Sequence, residues 1–124
     1  VNIIINNSSG LPIYEQIANQ VKNMIISGEL NEGDALPSMR ILAKELRISV
    51  ITTKRAYEEL EREGFIYSIM GKGSFVAGKN MELIKEEQLR SIEEYLQKAV
   101  ETAAVAGIGL DELIDIMTLI YKGE

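Results

Sequence analysis

Apolar residues from position 13 onward fall three to four apart: Ile13, Ile17, Val21 and Met24/Ile25. That spacing predicts an amphipathic helix over about 12–27, with Pro12 tolerated at its start and Gly28 as its stop. Two shorter helical patterns follow. Leu42, Ala43 and Leu46 predict a helix over about 38–46, and Thr53, Ala56, Tyr57 and Leu60 predict another from Ser49 to about Glu63. Ser38 and Ser49 stand where N-caps belong, each offering a hydroxyl oxygen to the unpaired N–H groups of a first turn. Arg47-Ile48 forms the turn between these helices, and Gly64 ends the second. The period then changes to two. Phe65–Met70 alternates as a strand, Gly71-Lys72-Gly73 is a three-residue hairpin loop, and Ser74–Ala77 is the return strand. At the N-terminus the β-branched run Val1–Ile5 reads as a further short strand, with Asn6–Gly10 as a turn and Leu30–Leu36 as a loop.

Beyond Gly78-Lys79-Asn80 the pattern is helical again. Leu89, Ile92, Leu96, Ala99/Val100 and Ala103 form a stripe on a long helix from Met81 to about Ala106. Gly107-Ile108-Gly109 breaks it. A last helix, Asp111 to Lys122, carries Leu113, Ile114, Ile116, Met117, Leu119, Ile120 and Tyr121, apolar around most of its circumference. A helix of that kind needs a partner on more than one side. The expected fold class is therefore mainly α with a small β-hairpin. A winged helix-turn-helix domain occupies 1–79, and a short two-helix dimerisation unit occupies 80–124. The expected dimer interface comprises Leu89, Ile92, Leu96, Ala99, Ala103, Leu113, Ile116, Met117 and Ile120.

Composition narrows the chemistry. With 124 residues and 46% hydrophobic content, a folded core is available. There is no cysteine and no histidine, which removes disulfides, thiolates, the commonest general base and the usual transition-metal ligands. No membrane span or signal peptide is evident, so a cytoplasmic protein is expected. No metal-spaced cluster, nucleophile–base pair or phosphate-binding loop appears. No enzyme activity, metal or cofactor is therefore expected, and no membrane partner. The runs Glu58, Glu59, Glu61, Glu63 and Glu86, Glu87, Glu93, Glu94 read as solvated helix faces.

The net charge of -6 is unevenly placed. Residues 1–80 hold nine Lys/Arg against nine Asp/Glu, and residues 81–124 hold four against ten. Residues 35–79 hold eight basic and five acidic side chains. A local basic face, not the global charge, governs phosphate binding.

On that face the candidate DNA-binding residues are Ser38, Arg40, Arg47, Ser49, Val50, Ile51, Thr52, Lys54, Arg55, Gly71, Lys72 and Gly73. Residues at the start of the second helix of such a pair reach base edges in a major groove. Arg40 suits a phosphate or a bidentate fork to guanine, the two glycines permit close approach to a sugar-phosphate chain, and Lys72 sits at the tip. The competing readings are a solvated helix face, a salt bridge from Arg40 to Glu45 or Glu63, and a plain hairpin turn. The order of cap, turn, cap and wing outweighs them.

From Pro12 to Ala77 the sequence resembles the GntR family of bacterial transcription regulators. The residues that carry the resemblance are Pro12-x-Tyr14-Glu15-Gln16-Ile17, Gly33-Asp34-x-Leu36-Pro37-Ser38-x-Arg40, Leu42-Ala43-x-x-Leu46, Ser49-x-x-Thr52, Ala56-Tyr57-x-x-Leu60-x-x-x-Gly64 and Gly71-x-Gly73-x-Phe75-Val76. The short C-terminal unit and the opening Pro-Ile-Tyr-Glu-Gln are similar to the YtrA-type subfamily. The resemblance implies a homodimeric repressor of an inverted-repeat operator, often of an ABC-transporter operon, that contacts DNA through Arg40, the start of the third helix and the wing tip. It leaves any small-molecule effector unknown. Two positions depart from the family pattern. Val50-Ile51 stands where Arg is frequent, and apolar side chains there suit a thymine methyl but cannot read guanine. Direct readout then leans on Arg40, Lys54 and Arg55. Arg47 stands where Gly is frequent, in a turn that calls for a positive φ, or reaches a phosphate. The alternative function is a winged-helix protein-interaction module that binds no DNA.

Overall fold

Three helices and a hairpin make the first of two compact units, Val1–Met81 and Glu82–Glu124. The computed structural model describes residues 1–78 and 81–123; the expected boundary at Lys79-Asn80 lies outside the described residues. Helices α1 (Ile13–Ile26), α2 (Met39–Leu46) and α3 (Val50–Arg62) precede strands β1 (Ile66–Ile69) and β2 (Gly73–Val76). Helices α1 and α2 both pack on α3, and β1 follows against it. The buried faces are those the periodicity indicates: Ile17 and Val21 on α1, Leu42 and Ala43 on α2, Thr53, Ala56, Tyr57 and Leu60 on α3. Leu60 is fully buried, and truncation to alanine there would cost about 2–5 kcal/mol.

Both serine caps form. Ser38 Oγ accepts from Ile41 N at 3.1 Å and Ser49 Oγ from Thr52 N at 3.0 Å. Between them Arg47 adopts φ 57°, ψ 47°, and Ile48 N donates back to Ala43 O at 3.0 Å. This is the left-handed C-terminal turn that glycine usually supplies.

The N-terminal strand does not form. Val1–Ile5 joins no sheet; the backbone of Ile4, and of Asn6 just after the segment, pairs with side chains of α1 instead. Gln20 accepts from Ile4 N at 2.9 Å and donates to Ile4 O at 2.7 Å, and Gln16 does the same for Asn6 at 2.8 and 3.0 Å. Each carboxamide reproduces the donor–acceptor pair of a strand edge, so the backbone groups of Ile4 and Asn6 are satisfied without a sheet.

The hairpin pairs Ile66 with Val76 through Ile69 with Gly73. Its three-residue loop is therefore Met70–Lys72, one residue earlier than expected, because Gly73 is the first residue of β2. Ile69 O accepts from Lys72 N at 2.9 Å, and Gly71 takes φ 79° inside that turn. The segment before α2 is not a free loop either. Ala35 bridges Phe75, and Leu36 N donates to Ser74 O at 2.9 Å, so residues 34–36 run along β2 as a third edge. That edge holds the start of α2 beside the wing.

The second unit holds α4 (Met81–Ala106) and α5 (Leu110–Lys122), joined by a turn in which Ile108 N donates to Ala103 O at 2.9 Å. Asp111 and Glu112 lie in the first turn of α5 and Lys122 in its last, the favourable order for the helix dipole. No described helix is long and apolar enough to cross a membrane.

Candidate nucleic-acid interface

The start of α2, the start of α3 and the root of β2 converge on one groove of about 340 Å³. It is lined by Pro37, Ser38, Met39, Arg40, Val50, Tyr57, Gly73 and Ser74. Its floor is built by Tyr57, whose ring is buried in the α3 face and whose hydroxyl donates to Pro37 O at 2.7 Å. Burial pushes this phenol well above its ordinary value, so it stays neutral and remains a donor. That bond fixes the entry to α2, and so the place from which Arg40 projects.

Arg40 is exposed and makes no ion pair among the described residues. The expected competitor Glu63 pairs with Lys22 at 2.5 Å. Arg40 therefore offers an uncommitted guanidinium, the fork suited to phosphate or to guanine. Arg47 is also exposed and is the one non-glycine with positive φ among the described residues. Lys72 lies exposed at the wing tip between Gly71 and Gly73, with Met70 fully exposed beside it.

The outward face of α3 is less free than its sequence suggests. Ser49 Oγ and Thr52 Oγ1 share a hydrogen bond of 2.8 Å, so one of the two hydroxyl protons is used within the cap. Lys54 Nζ lies 3.8 Å from Glu58 one turn on, with both side chains exposed. The Arg55 guanidinium sits 3.9 Å above the ring of Tyr14, at the start of α1. At that distance the ring face stabilises the cation by about 0.5–1 kcal/mol, the range for an exposed pair. What projects unhindered from the first turn is apolar: Val50, 44% exposed, and Ile51, 80% exposed.

Three contributors were not singled out by sequence. Tyr57 reads as a core residue from its spacing, and its hydroxyl partner is set by tertiary packing. Tyr14 lies about forty residues before the arginine it supports. The edge at 34–36 is too short to show a two-residue period.

The second unit presents a different surface. Leu96, Ala99, Val100, Leu110, Leu113, Ile114, Ile116, Met117 and Ile120 enclose an open groove of about 330 Å³ between α4 and α5, almost wholly apolar. Not one residue of α5 is buried. Six of the nine expected interface residues line this groove. Leu89 and Ile92 are exposed farther along α4. Ala103, in the last turns of α4, is buried within the chain.

Comparison with known proteins agrees with this geometry. Residues 13–76 match the family model for bacterial regulatory proteins, gntR family. The chain is 37% identical over 111 residues to the HTH-type transcriptional repressor YtrA of Bacillus subtilis (strain 168), covering 90% of this chain and 85% of that protein. A transcriptional antiterminator from Listeria monocytogenes EGD-e has a similar crystal structure, with TM-score 0.76 at 30% identity over 98% of this chain and 90% of that one. The DNA-binding domain of AraR in complex with operator ORX1 aligns with TM-score 0.55 at 25% identity, covering 62% of this chain and 96% of that one.

Proposed function

This chain belongs to the GntR family of bacterial regulatory proteins, and we propose that it is a homodimeric, sequence-specific DNA-binding repressor that reads an inverted-repeat operator. The carrying observation is the convergence of two capped helix starts and a glycine-flanked wing around the uncommitted Arg40. In this reading α3 enters a major groove, and the N–H groups at its start face a phosphate. Arg40 reaches the same groove from α2. Lys72 neutralises a phosphate beside the minor groove. Arg47, at the turn, neutralises another. Lys54 and Arg55 bind the backbone, each at the cost of its present partner. AraR's domain bound to its operator supports the mode of docking, and the repressor YtrA supports the regulatory outcome.

The apolar groove between α4 and α5 supports the dimer. An open apolar surface of that extent on a helical hairpin is stabilised when a second copy covers it, and a two-fold pair of readers matches a two-fold operator. The subfamily resemblance adds a transporter operon as the regulated target. Sedimentation equilibrium at micromolar protein, alone and with the DNA upstream of its own gene, tests the proposal. The expected species are a dimer and a dimer–duplex complex. A monomer that shifts no DNA at low salt would favour a protein-interaction module instead.

A further inference from the structure

We propose that α3 reads thymine through Ile51: its side chain seats on the C5-methyl of a thymine in the major groove, and each operator half-site carries a thymine at that place. The inference rests on the DNA-binding function above and names the base that this surface selects.

The first turn of α3 carries an apolar tip, Ile51 at 80% exposure beside Val50 at 44%. The polar groups around it already have partners within the fold. The Ser49 and Thr52 hydroxyls share one hydrogen bond of 2.8 Å, Lys54 lies 3.8 Å from Glu58, and Arg55 is stacked 3.9 Å over Tyr14. A guanine presents O6 and N7, which require donors, and a cytosine presents an amino group, which requires an acceptor. Isoleucine offers neither, so docking it against a G·C pair strips water from those atoms and returns nothing. Thymine alone among the four bases projects an apolar group into the major groove. The same side chain therefore rewards thymine and penalises G·C. The cations Arg40 and Lys72, on α2 and the wing, supply the charge that brings the apolar tip to the duplex.

The test removes the methyl and nothing else. An operator is obtained by selecting bound sequences from a random DNA pool. Its thymines are then replaced one at a time, in both half-sites together, by deoxyuridine. One position is expected to weaken binding by about four-fold per half-site, the equivalent of one buried methyl group. In Ile51→Ala the uracil effect at that position should vanish, while circular dichroism and melting stay at wild type because the residue is solvent-facing. An operator with no uracil-sensitive position, or the same sensitivity in Ile51→Ala, overturns the thymine inference and leaves the DNA-binding function standing. Failure to select any sequence overturns both.

Discussion

Replacing Arg47 by glycine should make the protein more stable and a weaker DNA binder. Arg47 holds φ 57° and ψ 47°, and every other positive φ among the described residues belongs to glycine. For a residue with a Cβ the left-handed region costs roughly 1–2 kcal/mol. Glycine relieves that cost but gives back roughly 0.5–1 kcal/mol through its freer unfolded chain. It also forfeits a few tenths of a kcal/mol, roughly, from a cation at the C-terminal end of α2. The net expectation is a gain of about 0.5 kcal/mol, or roughly 2–4 °C in the melting temperature of a domain this size. The side chain is exposed at the turn into α3, so its loss should remove one phosphate contact and lower the salt slope of binding by about one. Arg47→Ala separates the two effects, because it removes the charge and keeps the strain. Urea denaturation and fluorescence anisotropy at several salt concentrations read both. A glycine variant that is less stable than the alanine variant would refute the strain argument. Unchanged affinity and slope in both variants would refute the phosphate contact.

Further expectations follow from the same geometry. Arg40→Ala should leave the fold intact and weaken specific binding by about 1–3 kcal/mol, measured by titration of the selected operator against a scrambled duplex. Lys72→Ala should weaken binding to all sequences alike and reduce the salt slope by about one. Tyr57→Phe should cost about 1–2 kcal/mol in denaturant titrations, since Pro37 O loses its 2.7 Å partner. Burial raises the folded-state pKa of Tyr57 above the unfolded value of about 10, so its stabilising contribution is complete below pH 10. That contribution falls as pH rises further, because the unfolded chain then ionises first, and the phenylalanine variant should show less of this alkaline loss. Met117→Asp combined with Ile120→Asp should convert a dimer to monomers in sedimentation runs, by placing carboxylates on the apolar groove.

How far the sequence was legible differs between local and distant contacts. The helices and their caps follow from residues within one turn of each other. Ser38 with Ile41 and Ser49 with Thr52 need no tertiary information. The excess of apolar residues on α5 likewise announces an uncovered surface. Val1–Ile5 shows where local reading stops, because β-branched composition favours extension but only a partner makes a strand. Here the partners are the carboxamides of Gln16 and Gln20. The hairpin loop moved by one residue because register is fixed by cross-strand pairs such as Tyr67 stacked on Phe75, and not by the glycines alone. At the site the candidate residues were visible as residue types, yet their availability was not. Whether Arg55 or Lys54 is free depends on Tyr14 and Glu58, and the first of these contacts joins the start of α1 to α3.

The most direct test of a two-copy, sequence-specific reader is selection of bound duplexes from a random DNA pool by the full chain. A two-copy reader enriches an inverted repeat whose half-sites lie about one helical turn, or a multiple of it, apart on one face of the duplex. An enriched pool without two-fold symmetry, or no enrichment above the starting pool, would contradict it.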